Sequence, residues 1–192
     1  MFANNCYDLT KLIDEKFPSY PGDPKFHIET IHSIGKNHSF ALEYIHIGNH
    51  TGTHIDFPAH IIPDGKNSLD FPIRHLMGDG FIVVNRGVDD LIKFLGNLEL
   101  KNKIIFFKNM EYLDNKLANF LVEKKVKIIG IDGLSVDLVD DIELPIHNIL
   151  LKHDILIVEN LCLQEVNERE CYVLIAPLKL SSDGLPTRVL IW

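Results

Sequence analysis

One run of eleven residues, from His50 to His60 (HTGTHIDFPAH), constrains this chain more than any other stretch. The run contains three histidines and one aspartate, and all four lie at even positions. Alternate residues of extended backbone share one face, so these four side chains are predicted to point the same way. Imidazole and carboxylate groups are natural ligands of Zn²⁺, Mn²⁺ and Fe²⁺. The spacing therefore predicts a divalent-metal site built on His50, His54 and Asp56.

The last histidine of the run has two possible roles. His60 shares the parity of the other three side chains but lies beyond Pro58, where the backbone can bend. A bend would point the imidazole across the site, where it could donate or accept a proton, since imidazole titrates near neutral pH. As a metal ligand it could not do so. The spacing alone leaves both roles of His60 open.

The composition indicates one globular domain over residues 1–192 and argues against several classes of partner. Of the 192 residues, 46% are hydrophobic and 24% are charged. The formal net charge of -8 argues against a nucleic-acid-binding surface, and no apolar run is long enough to span a membrane. Three dispersed cysteines and the absence of a signal-peptide pattern at residues 1–5 predict a cytoplasmic protein.

The pattern of apolar residues predicts a single α+β domain with many short strands and a few helices. A helical pattern at 113–125 separates two apolar runs at 103–108 and 126–131. This order of strand, helix and strand predicts a crossover with a parallel pair of strands. Further strands are predicted at 6–13, 26–34, 39–47, 81–84, 155–158, 172–178 and 188–192, and further helices at 88–95 and 145–154.

Two other regions supply candidate site residues. The loop from Phe17 to Pro24 contains three prolines and a glycine, which exclude a regular element and restrict the backbone around Tyr20. Tyr20 is either a packed aromatic of an ordinary turn or a wall of a ligand site.

A second metal ion would need more ligands, and His147 and Glu159 are candidates. Taken alone, they are better explained as a helix-surface histidine and a strand-end acid.

The run HTGTHIDFPAH resembles the HxGTHxDxPxH signature of the cyclase family, which includes bacterial kynurenine formamidase (arylformamidase) and isatin hydrolase. Every fixed position of the signature is present. The resemblance implies a swivelling β/β/α fold in one cyclase-like domain. It extends over most of the chain, to the segments 17–24, 129–132, 135–137, 158–161, 176–180, 183–184 and 186–188 and to His147.

The resemblance also implies roles for the candidate residues. It implies a centre of two divalent metal ions per subunit, with Zn²⁺ favoured over Mn²⁺ or Fe²⁺, whose ligands are His50, His54, Asp56, His147 and Glu159. Asp56 would bridge the two ions. His60 would be the proton donor and acceptor. Tyr20 stands where the formamidases commonly carry a tryptophan that contacts the substrate.

The function implied is a metal-dependent amidohydrolase that cleaves a C–N bond of a small aryl formamide or cyclic amide. Attack by a metal-bound hydroxide would be assisted by His60 as general acid and base. The family resemblance further implies a homodimer or homotetramer that acts on a small-molecule substrate. Two alternatives are a cyclase or dehydratase acting on a polyketide-like molecule and a non-catalytic protein that binds a small molecule through its metal.

Overall fold

The computed structural model describes residues 6–192, so the segment on which the signal-peptide prediction depends lies outside the described residues. The strands are β1 (Tyr7–Asp8), β2 (His27–His32), β3 (Leu42–His46), β4 (His54–Asp56), β5 (Met77–Val84), β6 (Ile104–Lys108), β7 (Ile128–Ile131), β8 (Leu156–Glu159), β9 (Arg169–Pro177) and β10 (Gly184–Ile191). The helices are α1 (Val88–Leu95), α2 (Asn115–Glu123) and α3 (Pro145–Leu151). Short 3-10 helices lie at Pro58–His60, Ser68–Asp70 and Ile73–His75.

Seven of the strands close into a barrel-like sheet. Their order is β10, β4, β8, β7, β6, β5 and β9, and the ring closes because β9 also pairs with β10. The pairs β5–β6, β6–β7 and β7–β8 are parallel, and one helix connects the strands of each pair. The predicted crossover with parallel strands is therefore confirmed. The remaining pairs of this sheet are antiparallel.

The apolar strand residues form two cores, one on each side of the sheet. In β6, Ile105 and Phe107 pack under the helices, while Ile104 and Phe106 pack in the barrel interior. Successive side chains of a strand point to opposite faces, so one continuous apolar run serves both cores. The predicted helix at 88–95 is observed with these bounds. The strand predicted at 6–13 is shorter, with only Tyr7–Asp8 paired as a strand.

Strands β2 and β3 form a separate antiparallel hairpin. Most of its side chains are exposed, and every residue of β3 is exposed. Several large apolar side chains on and beside it face solvent, namely Ile31, Ile34, Phe40, Leu42, Tyr44, Ile45 and Ile47. Within residues 6–192, no helix has the length and apolar character needed to cross a membrane.

We expect Leu156→Ala to lower the free energy of unfolding by about 2–5 kcal/mol, because it opens a cavity in the closed barrel interior. Leu156 is fully buried there. Leu178, which is 71% exposed, provides the matched control. Leu178→Ala should change the same quantity by less than about 0.5 kcal/mol. Urea unfolding in the presence of a chelator measures both values, and equal losses would contradict the described core.

Candidate metal centre

Strand β4 carries two of the predicted ligands and lies between β10 and β8. His54 and Asp56 point to the outer face of the barrel, while Ile55 between them packs in the interior. The antiparallel register with β8 places His54 opposite Glu159, so the two side chains are neighbours on one face. His54 Nε2 lies 3.4 Å from Asp56 Oδ1 and 3.4 Å from Glu159 Oε2.

The shared parity of the run from His50 to His60 applies only to its extended part, and the bend predicted at Pro58 is observed. Only His54–Asp56 is a strand. His50 lies in a turn before it, where Gly52 has a φ of 71°, and His60 ends the 3-10 helix Pro58–His60. Glycine adopts this positive φ without steric cost, and proline favours the first turn of a helix. The backbone therefore bends on both sides of β4, and these bends, rather than shared parity, bring the two outer histidines to the site.

His50 and His60 meet beside β4 with their ring centroids 4.1 Å apart. His50 Nδ1 lies 2.8 Å from Asp56 Oδ1, within hydrogen-bonding distance. His60 Nδ1 instead lies 3.1 Å from Asp183 Oδ2, and its ring centroid is 5.6 Å from that of His147. His50 thus contacts the buried carboxylate of β4, whereas His60 lies at the side of the cluster.

His147 reaches the cluster from the first turn of α3. The buried carboxylate of Asp137 accepts hydrogen bonds from the backbone N–H groups of Ile146 and His147, at 2.7 and 3.0 Å. The same carboxylate lies 2.6 Å from His147 Nδ1. This contact directs His147 Nε2 towards the cluster, where it is 3.7 Å from Asp56 Oδ2 and 3.5 Å from Glu159 Oε1. Such a carboxylate–histidine pair is the usual support of a metal-binding imidazole.

The other two inner side chains are also oriented by the backbone. His54 Nδ1 lies 2.9 Å from the carbonyl oxygen of Gly52, so its Nε2 faces the carboxylates. Glu159 Oε1 accepts a hydrogen bond of 2.7 Å from the N–H of Val136. The inner ligand candidates are therefore fixed in orientation by contacts outside the cluster.

The donor set fits a pair of divalent cations. Three groups of three side chains have ligand atoms that lie within 4.8 Å of one another. One of them consists of His50, His60 and Asp183, and the other two share Asp56. Of these two, one adds His50 and His54, and the other adds His147 and Glu159. Asp56 is fully buried, and its Oδ2 has no hydrogen-bond partner among the described residues. A buried, unpartnered carboxylate oxygen is costly unless a cation compensates it.

The charges of the cluster are strongly coupled. Burial opposes protonation of His54, but Asp56 and Glu159 outweigh it and raise the pKa of His54 to about 9. Burial likewise opposes protonation of His147, but the hydrogen bond to Asp137 and the charges of Glu159 and Asp56 raise its pKa to about 10. Burial also opposes ionisation of Asp56, yet the surrounding histidines hold its pKa well below the ordinary value. Protons on the two histidines thus compensate the carboxylates of the metal-free protein at neutral pH, and a cation must displace them.

A cavity of about 170 Å³ opens onto this cluster. Five of the six side chains predicted as metal ligands or as the acid–base group line this cavity, namely His50, His54, His60, His147 and Glu159. The sixth, Asp56, is fully buried. Tyr20 lines the same cavity from the proline-containing loop, and its hydroxyl donates a hydrogen bond of 2.9 Å to the carbonyl oxygen of Val139. The structure thus brings together all the residues singled out in the sequence.

Sequence reasoning missed two carboxylates, Asp137 and Asp183, that contact histidines of the site. Both lie in turns, and both turns belong to segments that resemble the cyclase family. Turn composition alone does not indicate that a carboxylate points at a histidine far away in the chain. An aspartate eight residues before the proline that opens α3 is a weak signal for Asp137. The sequence offered none for the position of Asp183 beside His60.

Comparisons with known proteins agree with this site and fold. The model of the Cyclase family (“Putative cyclase”) matches residues 7–91. The kynurenine formamidase of Bacillus anthracis is 33% identical over 208 residues, which cover 100% of this chain and 99% of that protein. Among solved structures, the predicted metal-dependent hydrolase from Bacillus stearothermophilus is 28% identical, with a TM-score of 0.81 over 97% of both chains. Isatin hydrolase A from Labrenzia aggregata shares the fold at 18% identity, with a TM-score of 0.79 over 97% of this chain and 93% of that one.

Fold and cluster together define a metal-dependent hydrolase. The chain belongs to the cyclase family, and it acts on carbon–nitrogen bonds other than peptide bonds. The predicted family, the cyclase-like α+β fold and the predicted class of enzyme are therefore confirmed.

We expect Gly184→Ala to weaken divalent-metal binding by about 10–100-fold, the range seen when an outer contact of a ligand is changed. Gly184 pairs with Asp56 across β10 and β4, and a Cβ built on it would lie 2.2 Å from Cε1 of His50. The His50 ring must therefore move. A Cβ on Gly35 would meet no atom within 4 Å, so Gly35→Ala is the matched control. Calorimetric titration with Zn²⁺ measures both, and equal affinities would contradict a ligand role for His50.

Proposed function

We propose that this hydrolase cleaves the C–N bond of a small aryl formamide or of a cyclic amide. The main support is a cavity in which His60 lies beside the two groups of candidate ligands that share Asp56. The similarity to kynurenine formamidases over the full chain supports an aryl formamide in particular. The substrate is therefore a small molecule with an aromatic ring next to the scissile amide.

The residues that would hold the metal ions follow from the two groups around Asp56. His50 and His54 would hold a first divalent cation, His147 and Glu159 would hold a second, and Asp56 would contribute to both. Zn²⁺ is the favoured ion, and Mn²⁺ or Fe²⁺ are alternatives for the same ligand types. A bound divalent cation supplies water activated at neutral pH and polarises the carbonyl oxygen of the substrate.

His60 is the proton donor and acceptor of the reaction. Its Nδ1 contacts Asp183 Oδ2, so Nε2 is the nitrogen available to the substrate. The ring lines the cavity beside His50 and His147, within the space that a bound amide would occupy. Cleavage of an amide leaves an amine, which is a poor leaving group unless its nitrogen is protonated. Proton donation by His60 to this nitrogen meets that requirement.

Tyr20 forms the aromatic wall against which the substrate ring packs. Its hydroxyl is bound to the carbonyl oxygen of Val139, which fixes the ring in orientation. Burial, together with the negative charges of Glu159 and Asp140, raises the pKa of Tyr20, so the side chain stays neutral. A fixed neutral ring suits stacking on an aryl group at little entropic cost.

The same proposal includes a homodimer or homotetramer in the cytoplasm. A two-stranded hairpin is only marginally stable alone, and the β2–β3 hairpin exposes Phe40, Leu42 and Tyr44. A second copy of the chain would cover this surface. Light scattering gives the mass in solution, which tests the proposed oligomeric state.

The cytoplasmic location is supported by the three cysteines, all free, which form no disulfide.

We expect His60→Ala to lower kcat by about 10²–10⁴-fold, because proton donation to the leaving nitrogen is lost. The metal content should stay that of the wild type. Turnover of formylkynurenine and of isatin, together with metal analysis, measures both effects. His153 is exposed and its Nδ1 contacts only the carbonyl oxygen of Ile149, so His153→Ala should retain wild-type kcat.

Three outcomes of these assays would contradict the proposal. Absence of turnover of both compounds by the metal-loaded wild type would overturn the substrate class and favour a cyclase or dehydratase. An unchanged kcat in His60→Ala would remove the role of His60. Tight binding without turnover, with affinity changed only modestly in His60→Ala, would indicate a non-catalytic binding protein.

A further inference from the structure

One carboxylate contacts both histidines at the edge of the cluster. Asp183 lies in the turn between β9 and β10. Its Oδ2 is 3.1 Å from His60 Nδ1 and 3.2 Å from His50 Nε2. The carboxylate is far from both histidines in the chain. Asp183 is 123 residues from His60 and 133 residues from His50. The antiparallel pairing of β10 with β4, which places Gly184 opposite Asp56, brings this turn to the histidine run.

The carboxylate is itself fixed in place. Its second oxygen, Oδ1, accepts a hydrogen bond of 2.8 Å from Asn49 Nδ2 and one of 3.4 Å from Ser182 Oγ. The backbone of the turn is also tied to the segment that it serves. The carbonyl oxygen of Asp183 accepts from the N–H of Phe57 at 2.8 Å, and that of Ser182 accepts from the N–H of Ser68 at 3.0 Å. Asp183 therefore has a defined position relative to both histidines.

The two contacts determine how each ring is oriented. His50 Nε2 faces Asp183, so His50 Nδ1 faces the buried Asp56, 2.8 Å away. His60 Nδ1 faces Asp183, and His60 Nε2 has no hydrogen-bond partner in the described part of the chain. For His60, the acceptor beside Nδ1 places the proton there and leaves the lone pair on Nε2. His50 has a carboxylate beside each nitrogen, and Asp183 is the outer contact that directs Nδ1 to Asp56. One oxygen thus orients a candidate ligand and the acid–base group together.

We propose that Asp183 is a positioning residue that orients His50 for metal binding and His60 for proton transfer through a single carboxylate oxygen. Asp183 Oδ2 lies 3.1 Å from His60 Nδ1 and 3.2 Å from His50 Nε2, and in this role it acts on proton transfer and on metal binding through the two rings. The inference rests on the proposed function, because it takes His60 as the proton donor. It adds that metal binding and proton transfer depend on a common residue, so one substitution impairs both.

The test is the substitution Asp183→Asn, studied alone and combined with His60→Ala. An amide in place of the carboxylate cannot accept from both rings as a charged oxygen does, and the comparable change in Ser-His-Asp hydrolases lowers kcat by about 10⁴-fold through the wrong tautomer. We expect kcat on formylkynurenine to fall by about 10²–10⁴-fold at saturating metal, with KM changed less than about threefold. In the His60→Ala background the same substitution should lower kcat by less than about threefold, because residues that act as a unit are not additive.

A second measurement needs no substrate. Calorimetric titration with Zn²⁺ should show an affinity about 10–100-fold lower in Asp183→Asn than in the wild type, because the outer contact of His50 is lost. Asp64→Asn is the matched control for the loss of one negative charge. Asp64 is exposed, lies in the loop after His60 and has a φ of 57°, which asparagine adopts readily. It should retain wild-type kcat and affinity.

The outcomes separate this inference from the proposed function. The positioning role is overturned if the wild type turns over formylkynurenine and Asp183→Asn has the same kcat. It is also overturned if the reductions in kcat caused by Asp183→Asn and His60→Ala multiply fully in the double variant. If no aryl formamide is turned over by the wild type, the proposed function fails, while the metal titration still tests the contact to His50. Should Asp183→Asn not fold, Asn49→Ala removes one anchor of the carboxylate and should lower kcat by about 10-fold; an unchanged kcat would overturn the role.

Discussion

The structure depends on one buried carboxylate. Asp56 has no exposed surface, lies among three histidine rings and faces Glu159, and one of its oxygens has no hydrogen-bond partner within residues 6–192. Removing such a group from water is unfavourable by several kcal/mol unless positive charge compensates it. Protons on His54 and His147 can do so in the metal-free protein, and cations bound between the same side chains can do so more fully. The cluster is therefore costly for folding and suited to metal binding.

The barrel supplies the positions that this cluster needs. Strand β4 has only three residues, yet it pairs on both sides, with β10 and with β8. Its pairing with β8 places Glu159 beside His54, and the crossover before β8 places the first turn of α3, with His147, over the same face. The residues of the cluster come from three separate regions of the chain, namely 50–60, the start of α3 and the end of β8. Each region is held by backbone hydrogen bonds of the sheet or by a capping carboxylate, so little ordering remains for metal binding.

Much of the site could be predicted from the sequence, because its chemistry is concentrated in eleven residues. The spacing of His50, His54 and Asp56 indicated a metal site before any fold was known. The order of strand, helix and strand across β6, α2 and β7 indicated a parallel pair for a physical reason, since a crossover helix returns the chain to run in the same direction. Parity assumes extended backbone, so it applies to His54 and Asp56 but not to the outer histidines, which the bends at Gly52 and Pro58 bring to the site. Asp183 could not be predicted, since its contact with His60 depends on the long-range pairing of β10 with β4.

The central claim is that Asp56 is shared by two metal ions, and the metal content per chain tests it most directly. Plasma mass spectrometry of purified wild type, of Asp56→Asn and of Asp64→Asn, each loaded with Zn²⁺ and freed of excess, gives this number. The account predicts about two ions per chain in the wild type and in Asp64→Asn, and fewer than about one in Asp56→Asn, because the shared carboxylate serves both positions. A folded wild type without metal, or an Asp56→Asn variant that retains its full metal content, would contradict the account.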